Sequence, residues 1–191
     1  MGNDRKTYEG HDRSRMAGPP RPPGLPDGYL NRGYFDEKGN IFHDLVTTKP
    51  EEIAKGLGAG GVTSTQLRRF YTKAKAVEQR VDSGESFDSV VGRILELKQH
   101  AANAVGRAQG RDEQAGLELL KKFIDRNVDL AVKGKEAFRK GFLLHFQGVV
   151  AYFKYYDLKK GGGRNVSMIL RHLVFEFSVA PHRSVSSASA D

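Results

Sequence analysis

Basic side chains recur at helical spacing in the segment 64–81, and their chemistry suits phosphate binding. Arg69, Lys73 and Arg80 follow one another at intervals of four and seven residues, which places them on one face of a helix. The apolar side chains lie on the opposite face, and Glu78 is the only acid in the segment. A merely solvated face usually mixes both signs of charge, so this row favours contact with successive phosphates.

A second basic row lies further along the chain. Arg93, His100 and Arg107 are spaced seven residues apart, opposite the apolar stripe of the next predicted helix. Lys98 projects from the middle of that stripe, either as a snorkelling lysine or as a binding residue at an edge of the bundle. The other candidates for contact with a nucleic-acid backbone are Arg68, Lys75, Lys121, Lys122, Arg126 and Lys154.

The aromatic residues argue against base-specific readout. Exposed aromatic rings are the usual stacking platforms for bases, but here most aromatics fall on apolar stripes and are assigned to the core. The sequence contains no tryptophan. The expected contact is therefore with the backbone and tolerant of nucleotide sequence.

Catalytic and metal-ligating residue types do not occur at the spacings that active sites and metal sites need. The six histidines form no close pair at ligand spacing, and the absence of cysteine excludes thiolate metal sites and thiol nucleophiles. Gly56, Gly58 and Gly61 match a dinucleotide-binding fingerprint, but a polar helix rather than a strand precedes them. The sequence predicts no enzyme, no cofactor and no metal, and it assigns His145 to the core.

Composition bounds the class of protein. The chain has 191 residues, a net charge of +8 and a pI of about 9.7, which suits a single basic domain with a polyanionic partner. A membrane surface is disfavoured because the apolar helix faces need one another. The apolar-looking segment 166–180 is too short and too charged to span a bilayer. We expect a soluble, cytoplasmic protein.

Hydrophobic periodicity predicts an all-α protein, a compact bundle of about five helices. A short helix is expected to begin with a capping box of Thr48 and Glu51, and the helix 64–81 with a box of Thr63 and Gln66. The later helices are predicted at about 87–107 after Ser86, from an Asp112 cap, and up to about residue 159.

Three parts of the chain differ in composition. Residues 1–28 are rich in proline and glycine and are predicted to be a disordered arm. Residues 29–160 are predicted to be a helical RNA-binding domain, with Tyr29 to Phe42 lying along its surface. Residues 161–191 form a tail that opens with three glycines and receives no structural assignment.

Three ordered motifs in residues 45–157 resemble a known family. The segment Thr63–Tyr71 reads T-S-T-Q-L-R-R-F-Y, and similarity continues at Leu95–Lys98 with Ala104–Arg107 and at Phe142–Tyr155. These segments resemble the small subunit of type III-A CRISPR effector complexes, the Csm complex. The chain departs from the family pattern at several positions, among them Asn103, Gln147, Gly148 and Phe153.

The resemblance implies a helical subunit without enzymatic activity. Several copies would stack head to tail, beside the backbone and large subunits, along a channel that holds the crRNA and the target RNA. Carried over by motif, Arg68 and Arg69 are the first candidates for backbone contact, followed by Lys98 and Arg107. Lys154 matches a family lysine that serves either RNA or subunit stacking.

Two alternatives come from other classes of protein. A helical protein–protein adaptor could offer its basic face to an acidic partner, and a DNA-binding architectural protein could use the same face on duplex DNA. Salt-sensitive affinity for RNA without sequence preference distinguishes the RNA-binding hypothesis from the first, and a preference for RNA over duplex DNA distinguishes it from the second.

Overall fold

The computed structural model describes residues 24–160, and that part of the chain is all-helical. Five helices follow one another: α1 (Thr48–Ala59), α2 (Ser64–Asp82), α3 (Phe87–Gly106), α4 (Arg111–Ala131) and α5 (Leu144–Lys160). A 3-10 turn precedes α1, and a π-helical segment, Ala137–Leu143, leads into α5. The predicted five-helix bundle is confirmed. Residues 1–23 of the predicted arm and the whole predicted tail, 161–191, lie outside the described residues.

Aromatic side chains fill the centre of the bundle. Phe123, Phe138, Phe142 and Phe146 are fully buried, and the rings of Phe123 and Phe146 meet edge to face at 5.1 Å between centroids. The apolar stripes of all five helices converge on this cluster, with α1 packed mainly on α5 and α3 on α4. Most aromatics are thus core residues, as the sequence predicts.

Helix caps confirm two of the predicted starts and correct two others. The side chains and backbones of Thr63 and Gln66 form the predicted capping box, and Ser86 caps α3. Thr48, however, is the first residue of α1, and Thr47 precedes it without a side-chain cap. Gly110, not Asp112, occupies the cap of α4, because Asp112 lies one residue inside the first turn, where its charge favours the helix dipole.

The Thr63 cap gives a direct test of local stability. We expect Thr63→Ala to lower the free energy of unfolding by about 1 kcal/mol, because the amide of Gln66 loses its acceptor. Urea denaturation followed by circular dichroism measures this change. Thr72→Ala, at an exposed position inside the same helix, is the control and should shift stability by less than about 0.5 kcal/mol. Equal effects of the two substitutions would contradict the capping role.

The segment before α1 is part of the core, so the prediction that it lies along the surface is wrong. Tyr29 and Tyr34 are 6% and 2% exposed, and both hydroxyls reach a buried polar network. The Tyr34 hydroxyl donates to Asn127 Oδ1 at 2.8 Å, and Asn127 Nδ2 donates to the Tyr29 hydroxyl at 2.7 Å. The Tyr29 hydroxyl in turn meets His145 Nε2 at 2.7 Å. Hydrogen bonding makes these buried polar groups tolerable in the core.

His145 is the core histidine that the sequence predicts. Its Nδ1 lies 2.5 Å from the carbonyl oxygen of Leu45, which only accepts, so Nδ1 carries the proton and Nε2 accepts from Tyr29. The ring is therefore neutral. Burial lowers the pKa of His145 to about 4, against a weaker opposing effect of the bond to Leu45.

Glycines allow three close approaches between elements. A Cβ atom on Gly116 of α4 would lie 2.0 Å from the carbonyl oxygen of Gly60, where α1 ends. One on Gly141 would lie 2.4 Å from the Tyr34 ring. One on Gly148 would meet Pro50 of α1 at 3.1 Å. The close packing of α1 on α5 thus leaves little room for a side chain at position 148.

Candidate nucleic-acid interface

The two predicted basic rows face one groove. Helices α2 and α3 are joined by the short turn 83–86 and pack side by side in opposite directions. Residues near the start of α2 therefore face the end of α3. We call the surface between them the basic groove, defined by two sets of side chains: Arg69, Lys73 and Arg80 from α2, with Arg93, His100 and Arg107 from α3 and its C-cap.

The wider end of the basic groove is a cavity of about 360 Å³. Arg69 and Arg107 line it from opposite sides, and Lys73 and His100 line it further along. The first turns of α4 close this end with Glu113 and Leu117. The positive charge of this cavity comes from both α2 and α3. A helical wheel of one helix cannot show that two such rows meet.

A narrower cavity of about 170 Å³ continues the groove toward the α2–α3 turn. It shares Lys73 and His100 with the first cavity and adds Arg80 and Arg93. From Arg93 to Arg107 the helix rises about 21 Å at 1.5 Å per residue. The groove is therefore long enough for several consecutive phosphates.

Most cations of the groove have no internal counter-charge. Among the described residues, Arg69, Lys73, Arg93 and Arg107 form no ion pair within 4.0 Å, whereas Arg80 pairs with Glu85 at 2.9 Å.

Two acids, Glu96 and Glu113, also line the cavities. Glu113 is already engaged, since it accepts from Gln66 Nε2 and from the Gln109 amide, each at 2.9 Å. The groove keeps an excess of positive charge, which suits an external anion.

The other predicted residues lie outside the basic groove, and several have partners. Lys75 pairs with Glu78, and Lys121 with Asp125 at 2.5 Å. Arg126 donates to Asn31 Oδ1 at 3.1 Å and so holds the segment before α1. The remaining residues outside the groove without an ion pair to any described residue are Arg68, Lys122 and Lys154.

Lys98 has a specific structural contact. Its ammonium pairs with Asp129, which ties α3 to α4. The side chain is about one third exposed, so the stem packs while the charged end reaches the surface.

The structure brings the two basic rows together in one groove, which the sequence did not predict. Arg93 and His100 belong to the second predicted row, and Asn103, one of the departures from the family pattern, lies beside His100 in the wider cavity. An available signal was the short turn after α2, because it makes the two helices antiparallel. Positions 69 and 107, 73 and 100, and 80 and 93 then fall opposite one another.

Features of two other classes of site are absent from the part of the chain that the structure describes. No cluster of three or more metal-binding side chains occurs in residues 24–160. No helix in that part of the chain is long and apolar enough to cross a membrane.

The fold and the basic groove together define a small all-helical protein with a cationic groove on its surface. A family model described as Csm2 Type III-A matches residues 42–159, more than half of the chain. The chain therefore belongs to the Csm2 family, the small-subunit family of type III-A CRISPR Csm complexes. No curated protein and no solved structure matches it significantly.

Proposed function

We propose that the chain is a non-catalytic small subunit that contacts the backbone of the crRNA and the target RNA through its basic groove. The observation that carries the proposal is the meeting of two cation rows in one groove. Phosphate contacts depend on charge and spacing rather than on base identity, so they suit a subunit that must accept any guide sequence.

Assembly forms the second part of the proposal. The family places the chain among the components of a Csm complex, and we propose that several copies stack beside its backbone and large subunits in the cytoplasm. One groove contacts only a few phosphates, so a single copy binds weakly and stacked copies gain avidity along the RNA. Antiviral defence is the role that such an assembly serves.

A salt series tests the groove directly. We expect Arg69→Gln/Arg107→Gln to lower the affinity for single-stranded RNA by roughly 25-fold at 0.1 M salt, since each lost phosphate contact removes about 0.7 from the log–log salt slope. The slope itself should therefore fall in magnitude by about 1.4. Fluorescence anisotropy with a labelled RNA of mixed sequence measures both quantities.

Arg68→Gln is the matched control, because Arg68 is the preceding residue of the same helix and lies outside the groove. We expect it to change the slope less than Arg69→Gln does. Equal effects of the two single substitutions would overturn the assignment to this groove.

Binding of RNA and duplex DNA by the wild-type protein distinguishes the RNA-binding proposal from the two alternative classes of protein. Absence of RNA binding at low salt would favour a protein–protein adaptor. Tighter binding to duplex DNA than to RNA of equal length would favour a DNA-binding architectural protein.

A further inference from the structure

The wider cavity of the basic groove has a feature that backbone binding does not explain. A phosphate needs only a charged surface, whereas this end of the groove is a hollow of about 360 Å³, at the lower end of the size range of small-molecule sites. The narrower cavity, at about 170 Å³, is less than half as large, although both have cations on their rims. The hollow therefore suits a bulkier group than phosphate.

The floor of the wider cavity is apolar. Phe70 of α2, Ala104 of α3 and Leu117 of α4 line it between the charged residues of the rim. Phe70 and Leu117 belong to the core and expose only 5% and 3% of their surface, so the floor is fixed by packing. A flat heterocycle that lies over the partly exposed Ala104 and the small exposed parts of Phe70 and Leu117 removes this apolar surface from water.

One amide in the wall remains available for hydrogen bonding. The two side-chain amides of the wall are Gln66 and Asn103. The oxygen of Gln66 accepts from the Thr63 amide and its nitrogen donates to Glu113, so both ends are occupied. The exposed side chain of Asn103 makes no hydrogen bond to any described residue. An asparagine amide offers a donor and an acceptor, which is the pattern on the edge of a nucleobase.

We propose that the wider cavity receives one unpaired base of a bound RNA, with the flanking phosphates on Arg69, Lys73 and Arg107. The base covers the floor formed by Phe70, Ala104 and Leu117, and its edge meets Asn103. This inference rests on the proposed function and deepens it, because it adds a base-binding position to a groove that otherwise follows phosphates. It predicts a preference for single-stranded RNA over duplex, since a paired base is not free to enter.

The experiment compares two labelled oligomers with equal numbers of phosphates, a single-stranded RNA and an abasic analogue. We expect the wild type to bind the base-carrying RNA roughly tenfold more tightly than the abasic analogue at equal salt. Ala104→Leu fills the cavity floor without changing charge, and it should abolish this preference while leaving the affinity for the abasic oligomer unchanged. Asn103→Leu, at an exposed position that does not support the core, should reduce the preference.

Ala76→Leu is the matched control, because Ala76 lines the narrower cavity on α2 and is exposed. It should keep the full preference for base-carrying RNA. Equal affinity of the wild type for the two oligomers, or equal losses on both from Ala104→Leu, would overturn the base-binding position. Binding of both oligomers with a steep salt slope would then still support the proposed backbone contact. Absence of binding to either would overturn both proposals.

Discussion

Replacing Gly116 by alanine is expected to lower the free energy of unfolding by about 3 kcal/mol or more, a loss typical of overpacking in a core. The added Cβ atom would lie 2.0 Å from the carbonyl oxygen and 2.6 Å from the carbonyl carbon of Gly60. Both contacts are backbone atoms, so no side-chain rotation relieves them. Helix α4 must then move away from the end of α1, which opens the packing of both. Thermal and urea unfolding measure the loss.

Gly92→Ala is the matched control for Gly116→Ala. Gly92 lies inside α3, and nothing comes within 4 Å of an added Cβ atom. Alanine should therefore raise stability there by about 0.5–1 kcal/mol, because glycine is the poorer helix former. Gly60→Ala should resemble Gly116→Ala, since its Cβ atom would lie 2.5 Å from Gly116 Cα. An unchanged melting temperature for Gly116→Ala would refute the close approach of the two helices.

Acidification is expected to destabilise the bundle through His145. The pKa of His145 in the fold is about 4, below the ordinary value of 6.5, so the unfolded chain takes up the proton first. The neutral ring contributes fully to the free energy of unfolding above about pH 6.5, and this contribution is lost as the pH falls toward 4. A depression of about 2.5 in pKa corresponds to roughly 3 kcal/mol over that window.

Urea titrations at several pH values between 7 and 4 measure this effect. Carboxylates titrate in the same range, so the informative quantity is the difference between wild type and His145→Gln. We expect this variant to be less stable at pH 7 but to lose less stability on acidification, because its amide stays uncharged. His43→Gln, on the exposed turn before α1, leaves His145 in place and should retain the steeper profile. Parallel profiles for wild type and His145→Gln would show that His145 does not carry the effect.

The elements predicted correctly from sequence are those specified by local contacts. Helix α2 begins where Thr63 and Gln66 cap it, and its apolar stripe is its buried face, because both depend on residues a few positions apart. The predicted caps at Thr48 and Asp112 are wrong. The observed caps, Thr47 and Gly110, lie one and two residues before the predicted ones, and neither makes a side-chain cap hydrogen bond, so the backbone path and not a capping side chain sets these helix starts.

The insertion of Tyr29 and Tyr34 into the core could not be predicted from the sequence. Their partners, Asn127 and His145, lie about 90 to 120 residues away, and an aromatic among turn residues shows no periodicity. The π-helical turn before α5 was equally hidden, since Phe138 and Phe142 fit an ordinary helical stripe. Long-range packing decides both features.

The candidate interface was predictable in part. Helical spacing found each basic row, because residues seven apart share a face on any straight helix. It placed Arg69 but not Arg68 in the first row, but it could not show that this row faces the second one across a groove. The apolar floor of the wider cavity was hidden as well, since Phe70 and Leu117 look like core residues and mostly are.

The tyrosines before α1 show that the start of the folded unit and the start of the family match are different positions. The family match begins at residue 42, whereas the folding unit already includes Tyr29. A fragment trimmed to the family boundary keeps the five described α-helices but removes the hydroxyl partners of His145 and Asn127 from the interior. Recombinant design, domain swaps and comparisons across the family should therefore keep residues 29–41, because Tyr29, Leu30 and Tyr34 of this segment are part of the hydrophobic interior.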